Sequence, residues 1–275
     1  MNFEQMLKSA RGKYAQPTDR SAPKLFPEPP SGALSLDEFL DRLIETACEH
    51  NPKLRHPFAI RLVQGYWNKK QVQEWVRQDY QRTIQTIRRH ALLAANSADY
   101  EVVWGLLTRV KAEADSDPVG GTFFALPQLW LKFGIALGLT REEIVGCRPH
   151  PLLGLINDSM LSEVRFASAF SVREFVDAVL DPIFYQLWGE ALGKSLGLPR
   201  DAMDFFWAIG ADRWGEETGR SILQSWAGSR ENQVELWNKY RAEVADDREW
   251  HRLTILQTIL ESTKAESDCR ETLKS

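Results

Sequence analysis

From Ser35 onward, apolar residues recur three and four positions apart almost without interruption. No stretch alternates apolar and polar residues in the two-residue period of a half-buried strand. A chain patterned this way can bury its apolar stripes only by packing helix on helix. SLDE at 35–38 has the spacing of a capping box and opens a helix through about His50. A short helix follows in HPFAIRLVQG, a loop in GYWN, and KKQVQEW starts a long helix that includes QDYQRTIQTIRRH. Further helices are expected in YEVVWGLLTRVKAEA, TFFALPQLWLKFGIALG and, briefly, after the cap TREE. SVRE at 171–174 reads as a second capping box and starts DAVLDPIFYQLWGEALGKSLG. LPRDAMDFFWAIGADRWGEETGRSILQSW and ENQVELWNKYRAEVADDREWHRLTILQTILES are each read as one helix. The expectation is an all-α chain, a single bundle of about eight or nine helices.

The flanks read differently. AQPTDRSAPKLFPEPPSG is rich in proline, which stiffens a chain and resists regular structure. Residues 1–33 are therefore expected to be a proline-rich extension, floppy unless Leu25 and Phe26 dock it. Residues 34–262 form the helical domain and 263–275 a frayed tail.

Composition narrows the function. The formal net charge of −4 lacks the basic excess of a nucleic-acid binder. Cys48, Cys147 and Cys269 have no paired spacing, so neither a disulfide framework nor a zinc site follows, and a reducing cytoplasm is expected. No apolar run has the length of a membrane span, and the first residues lack a signal-peptide core. Glycine-rich phosphate loops, HExxH, GxSxG and CxxC are absent, and DSDPVGG lacks the alternating oxygen ligands of a calcium loop.

The remaining signal is polarity on faces that should be buried. In the long helix the inner face runs Val76, Tyr80, Thr83, Ile87, His90 and Ala94. Asp181 falls inside an apolar run, and Asp212 shares a side with Phe205, Ala208 and Ile209. A buried charge must be paired or hydrogen-bonded. A shared pocket containing His90, Asp181 and Asp212 accounts for all three; separate pairing, with Arg213 or Arg89 for Asp212, is the alternative. His90 is the acid/base candidate, because imidazole titrates near neutral pH and a carboxylate neighbour favours its charged form. Asp181 or Asp212 would orient it. Thr83, Tyr80, Trp207, Arg89 and Glu216 are candidates for substrate contact: Tyr80 and Trp207 by stacking, Arg89 by attracting a carboxylate.

HPFAIRLVQGYWNKKQVQEWVRQDYQ, PVGGTFFALPQLWLKFGIALGL and FFWAIGADRWGEETG together resemble the family of the pyrroloquinoline quinone synthesis protein C and its TenA-like relatives. The resemblance spans roughly residues 35–255 and implies the haem-oxygenase-like helical bundle, with homodimers among the relatives. It also implies three chemistries against which the chain can be held. The thiamin-degrading type needs a cysteine on the helix corresponding to AVLDPIFYQLWGE, where this chain has none. The di-iron type implies six ligands; His90, Asp181 and Asp212 fall at three of those places, whereas Thr83, Ala208 and Gly215 stand at the others. A normal di-iron centre is therefore not expected, and iron or manganese would have only a reduced ligand set. In the cofactor-free quinone-forming type, Asp204, Ala208 and Asp79 stand where tyrosine and arginines are implied. The expectation is a diverged oxidoreductase or oxygenase acting on a small organic molecule in a specialised biosynthetic pathway, without a resident cofactor. The alternative is a catalytically silent bundle that binds a ligand or supports a partner.

Overall fold

Two long helices organise the chain because their sequences can bury more than one face. The computed structural model describes residues 3–15, 25–32, 34–114, 125–166, 172–245 and 247–272. The loop DSDPVGG, residues 16–24 of the proline-rich segment and Ser171 of the expected SVRE box lie outside them. The helices are α1 (Phe3–Tyr14), α2 (Leu36–His50), α3 (Pro52–Arg55), α4 (Pro57–Val63), α5 (Lys69–Asn96), α6 (Tyr100–Ala114) and α7 (Leu126–Ala136). They continue as α8 (Arg141–Val145), α9 (Pro151–Phe166), α10 (Val172–Leu196), α11 (Asp204–Gly210), α12 (Arg220–Trp226), α13 (Arg230–Ala245) and α14 (Arg248–Thr272). A 3-10 turn at Arg200–Met203 precedes α11, and a π turn at Gly215–Gly219 precedes α12. No strand occurs among the described residues.

Capping chemistry sets several starts. Ser35 and Glu38 form the expected box on α2, Thr140 and Glu143 another on α8, and Asn68 with Gln71 a third on α5. Such caps contribute about 1 kcal/mol each by occupying amides with no intrahelical partner. Helix α10 starts otherwise. Its first amides, Val172 N and Arg173 N, donate to the carboxylate of Glu243 on α13 at 3.1 and 2.7 Å. Glu174, expected to close a local box, instead turns into the protein interior.

Helix α5 packs on α6, α7, α9 and α14, while α10 packs on α11, the π turn, α4 and α13. Between these two groups lie aromatic side chains and a polar cavity. Trp75 makes edge-on contacts with Phe58, Trp130 and Trp188, at ring-centroid separations of 5.5, 5.3 and 6.0 Å. The indole N–H of Trp130 donates to the Val76 carbonyl at 3.0 Å, so a fully enclosed tryptophan still satisfies its polar atom.

Several boundaries differ from the sequence expectation. Residues 3–14 form a helix whose Met6, Leu7, Ala10 and Tyr14 are buried against the bundle. Trp188 Nε1 donates to Tyr14 Oη at 3.2 Å, and Tyr14 in turn bonds the Lys53 carbonyl. Phe26 inserts among His50, Trp237 and Tyr240, whereas Leu25 is exposed. Part of the extension is thus structure, anchored by Tyr14 ahead of the proline-rich segment and by Phe26 within it. Helix α9 was hidden because PLLGLINDSMLSEVRF follows a proline-rich turn and has a weak apolar stripe. The segment expected as one helix from Leu198 to Trp226 breaks around Asp212, and the last helix breaks at Asp247, whose φ of 48° reverses the chain locally. Helix α14 then continues into the stretch read as a frayed tail.

Pro182 lies inside α10 and has no N–H to offer the Ala178 carbonyl. The π turn closes against this spot. A Cβ built on Gly215 would lie 2.3 Å from both Ala178 C and O. Gly215→Ala should therefore push the π turn off α10, costing about 2–3 kcal/mol as overpacking does. Thermal unfolding should show Tm lowered by about 5–10 °C; an unchanged Tm would contradict this packing.

Candidate functional site

The cavity between α5 and α10 arises from two stripes of ionisable side chains. On α5, Trp75, Asp79, Arg82, Thr86 and Arg89 repeat at helical spacing and line it. On α10, Arg173, Asp177, Asp181 and Tyr185 do the same, with Glu174 beside them. Lys53 of α3, Arg109 and Glu113 of α6, Trp130 of α7, Phe205 and Ile209 of α11, Asp212 and Glu249 of α14 complete most of the wall. The cavity holds about 140 Å³.

Three buried ionic groups surround it. In the first, His90 lies between two carboxylates: Nδ1 is 2.7 Å from Glu113 Oε2 and Nε2 is 2.6 Å from Glu174 Oε1. Arg109 Nε pairs with Glu113 at 2.9 Å and its Nη1 with Asp212 at 3.1 Å, while Arg89 Nε lies 2.9 Å from Glu174. The Arg109 guanidinium also lies over the Trp214 ring, 4.9 Å from its centroid. In the second, Lys53 Nζ meets Asp181 Oδ1 at 2.5 Å and Arg173 Nε meets Asp177 Oδ2 at 3.2 Å. In the third, Arg252 bridges Asp79 and Glu249, each at 2.8 Å, and Arg82 stands 3.8 Å from both carboxylates.

These contacts set the protonation states. Burial alone would depress the His90 imidazole, but Glu113 and Glu174 outweigh it and raise the pKa to about 9. Burial pushes the Glu174 carboxyl upward, yet Arg89 and His90 hold it far below the usual carboxylate range. Glu113 is likewise lowered, burial being outweighed by His90 and Arg109. Asp177 goes the other way. Burial raises it, Arg173 and Lys53 counter only in part, and the charges on Asp181 and Glu174 add to the rise. Lys53 remains an ammonium because Asp181 outweighs its burial.

The structure brings some expected residues together and not others. Thr83, Arg89, Asp181 and Asp212 line the cavity; His90 stands behind Glu113 and Glu174. Asp181 and Asp212 do not orient His90. Asp181 is held by Lys53, and Asp212 by Arg109 while also accepting from the Trp214 amide at 2.9 Å. Arg89, expected to attract a substrate carboxylate, lines the cavity with its Nε 2.9 Å from Glu174 but makes no hydrogen bond through that atom. Tyr80 is buried in the core because the cavity stripe on α5 runs one position earlier than expected, through Asp79 and Arg82. Trp207 sits between Phe205 and Ile209 in sequence and therefore turns away from the cavity that both of them line. Glu216 belongs to the half-exposed π turn and stands 3.8 Å from Arg213, away from the cavity wall.

The donor set does not fit a di-metal centre. Both ring nitrogens of His90 are already engaged, Nδ1 by Glu113 and Nε2 by Glu174, so neither is directed at the cavity. Glu113 and Asp212 are held by Arg109, and Glu174 by Arg89. Gly215 cannot be a histidine without striking the Ala178 backbone. Among the described residues no group of three or more His, Cys, Asp or Glu side chains is arranged to hold a metal ion.

Because the folded pKa of His90 lies above its ordinary value of 6.5, its stabilisation is complete below that value and is lost as pH rises through about 9. The shift corresponds to about 3 kcal/mol. In denaturant titrations His90→Gln should be destabilised by at least about 3 kcal/mol at pH 6, and the gap to the natural chain should close toward pH 10. A gap independent of pH would mean that His90 is not held as imidazolium.

The TENA/THI-4/PQQC family pattern matches residues 43–182, a span that includes α5, α6 and the cavity-lining half of α10. The pyrroloquinoline-quinone synthase of Acinetobacter baumannii is 26% identical over 164 residues, covering 60% of this chain and 56% of that protein. The enzyme of the same name from Pseudomonas aeruginosa is 27% identical over 143 residues, 52% of this chain and 48% of its own length. The chain thus spans about half the length of the curated relatives it matches. A domain of unknown function with a haem oxygenase-like fold from Shewanella denitrificans superposes with a TM-score of 0.59 at 13% identity. That superposition covers 87% of this chain and 96% of the other. It establishes the haem-oxygenase-like all-α bundle. No described helix is long and apolar enough to cross a membrane.

Proposed function

This chain belongs to the TENA/THI-4/PQQC family, and we propose that within it the chain is an oxidoreductase that uses O₂ to oxidise a small organic molecule in the central cavity. The observation that carries the reading is the Asp177 carboxyl. It faces the cavity with a raised pKa, beside buried cations that fix the field around it. The names of the relatives support the direction of the chemistry, since a quinone synthase yields an oxidised product.

In the proposed reaction two adjacent substrate atoms each lose a hydrogen and a double bond forms between them. Two electrons and two protons pass to O₂, which becomes hydrogen peroxide. Asp177 accepts the first proton and Arg173 stabilises the carboxylate state from which it acts. His90 takes no proton in this scheme, because it is already an imidazolium locked between Glu113 and Glu174. Its role is to hold α5, α6 and α10 in register. The matched pairing of the cations around the cavity favours one competing reading, a bundle that binds a ligand without turning it over.

An oxygen electrode and a peroxide assay, run on a panel of single-ring alcohols, acids, amines and hydroquinones, separate the two. O₂ uptake with matching peroxide release is expected for at least one member, reduced about 100-fold or more in Asp177→Asn. Saturable binding without O₂ uptake across the panel would establish the silent reading instead.

A further inference from the structure

Building on the reading of the cavity as a substrate site, we infer that its substrate is a small single-ring primary amine, bound as the ammonium by Asp177 with its ring against Phe205 and Trp130. The cations of the wall argue first. Lys53, Arg82, Arg89, Arg109 and Arg173 each stand within 4 Å of a carboxylate, so an anionic substrate would compete with a buried carboxylate for its charge, even though Arg89 Nε and Arg109 Nη1 make no hydrogen bond. An arginine-rich wall without such partners would suit a carboxylate or phosphate; this one does not.

The carboxylates are not equally supplied. Glu113 and Glu174 each have two cationic partners, and Asp79 and Glu249 share Arg252 and Arg82. Among the described residues Asp181, Asp212 and Asp177 each have one ion pair, to Lys53 at 2.5 Å, to Arg109 at 3.1 Å and to Arg173 Nε at 3.2 Å. The contact to Asp177 is the longest of the three; Asp212 also accepts from the Trp214 amide, and the Arg173 guanidinium is shared with the Glu243 carbonyl. A carboxylate offers about four acceptor positions, so Asp177 retains room for ammonium N–H donors. Gln85 Oε1, on the same cavity, is a buried acceptor with no hydrogen-bond partner and offers a second place for a donor.

The opposite end of the cavity is apolar. Two turns beyond Asp177 on α10, Tyr185 meets Phe205 edge-on at 5.9 Å, and Phe205 meets Trp130 at 4.6 Å. All three line the cavity, with Leu126 and Ile209. The volume of about 140 Å³ is close to the roughly 150 Å³ apolar cavity that accommodates benzene, which limits the substrate to one ring and a short chain.

Benzylamine, benzyl alcohol and benzoate share a ring and differ in charge, so calorimetric titration with these probes tests the inference directly. Benzylamine is expected to bind at least tenfold more tightly than benzyl alcohol, and benzoate no more tightly than the alcohol. Asp177→Asn should bring benzylamine to the level of the alcohol while benzyl alcohol itself stays within twofold, which also reports that the cavity is intact in the variant. Benzoate binding more tightly than benzylamine in the natural chain, absence of binding by all three, or benzylamine unaffected in Asp177→Asn would each overturn the amine. The two readings fail separately. Expected benzylamine binding without O₂ uptake by any amine removes the oxidase and keeps the amine site. O₂ uptake with a hydroquinone or alcohol, with benzylamine unbound, removes the amine and keeps the oxidase.

Discussion

The imidazolium of His90, held at 2.7 and 2.6 Å between Glu113 and Glu174, is the contact on which the interior arrangement depends. It ties α5 to α6 on one ring nitrogen and to α10 on the other. Each carboxylate is then fastened by an arginine, Glu113 by Arg109 and Glu174 by Arg89, and Arg109 extends the network to Asp212. Buried ion pairs of this kind are poor net stabilisers, because desolvation offsets most of their attraction, but removing one partner costs about 3–5 kcal/mol. The network therefore acts as a constraint on geometry: three helices can approach only in the register that satisfies all of these charges together.

The same register explains why the cavity exists. A bundle of this aromatic content could close its centre with rings, as Trp75, Trp130, Trp188 and Phe206 do on one side. On the other side, charged groups facing each other across α5 and α10 cannot interpenetrate as apolar side chains do. They stand at the lengths of their hydrogen bonds and leave space between. Pro182 adds a local effect by withdrawing an N–H from α10, where the π turn rests Gly215 directly on the Ala178 backbone. The cavity wall is thus shaped by polar distance on one face and by a backbone contact on another.

Much of the fold was legible in the sequence because helical periodicity and capping residues are local signals. Ser35–Glu38 and Thr140–Glu143 form the caps their spacing announces. The misses have equally local causes. Helix α1 carries too few apolar residues to stand out, yet Tyr14 and Trp188 secure it through contacts far apart in sequence. The site was half legible. A buried charge betrays itself by interrupting an apolar face, which is how His90, Asp181 and Asp212 were found. Arg109, Glu113 and Lys53 sit among charged neighbours on helices that read as ordinary amphipathic surfaces, and nothing in a one-dimensional pattern says that the polar face is the one turned inward. Tyr80 against Asp79 shows how fine the margin is: one position rotates a helical side chain by about 100°, enough to move it from cavity to core.

Carboxylates gathered inside a bundle can be neutralised by more than one kind of positive charge, and the kind has a chemical consequence. Metal ions and guanidinium groups both neutralise carboxylates gathered inside a bundle, but a metal with an open coordination position binds and activates a ligand, whereas a guanidinium fastened by its own N–H groups does not. In this chain Arg89, Arg109 and His90 stand among Glu113, Glu174 and Asp212 and pair with them. On the proposed oxidase reading the proton is taken by the group whose ion pair is longest. Asp177 is that group: burial, and after it the charges of Glu174 and Asp181 three and four residues away on the same helix face, hold its proton more tightly than water does, with Arg173 and Lys53 opposing. In the proposed reaction the inequality along this row, two cations on Glu174 against one long contact on Asp177, is what sets the place for a proton to move.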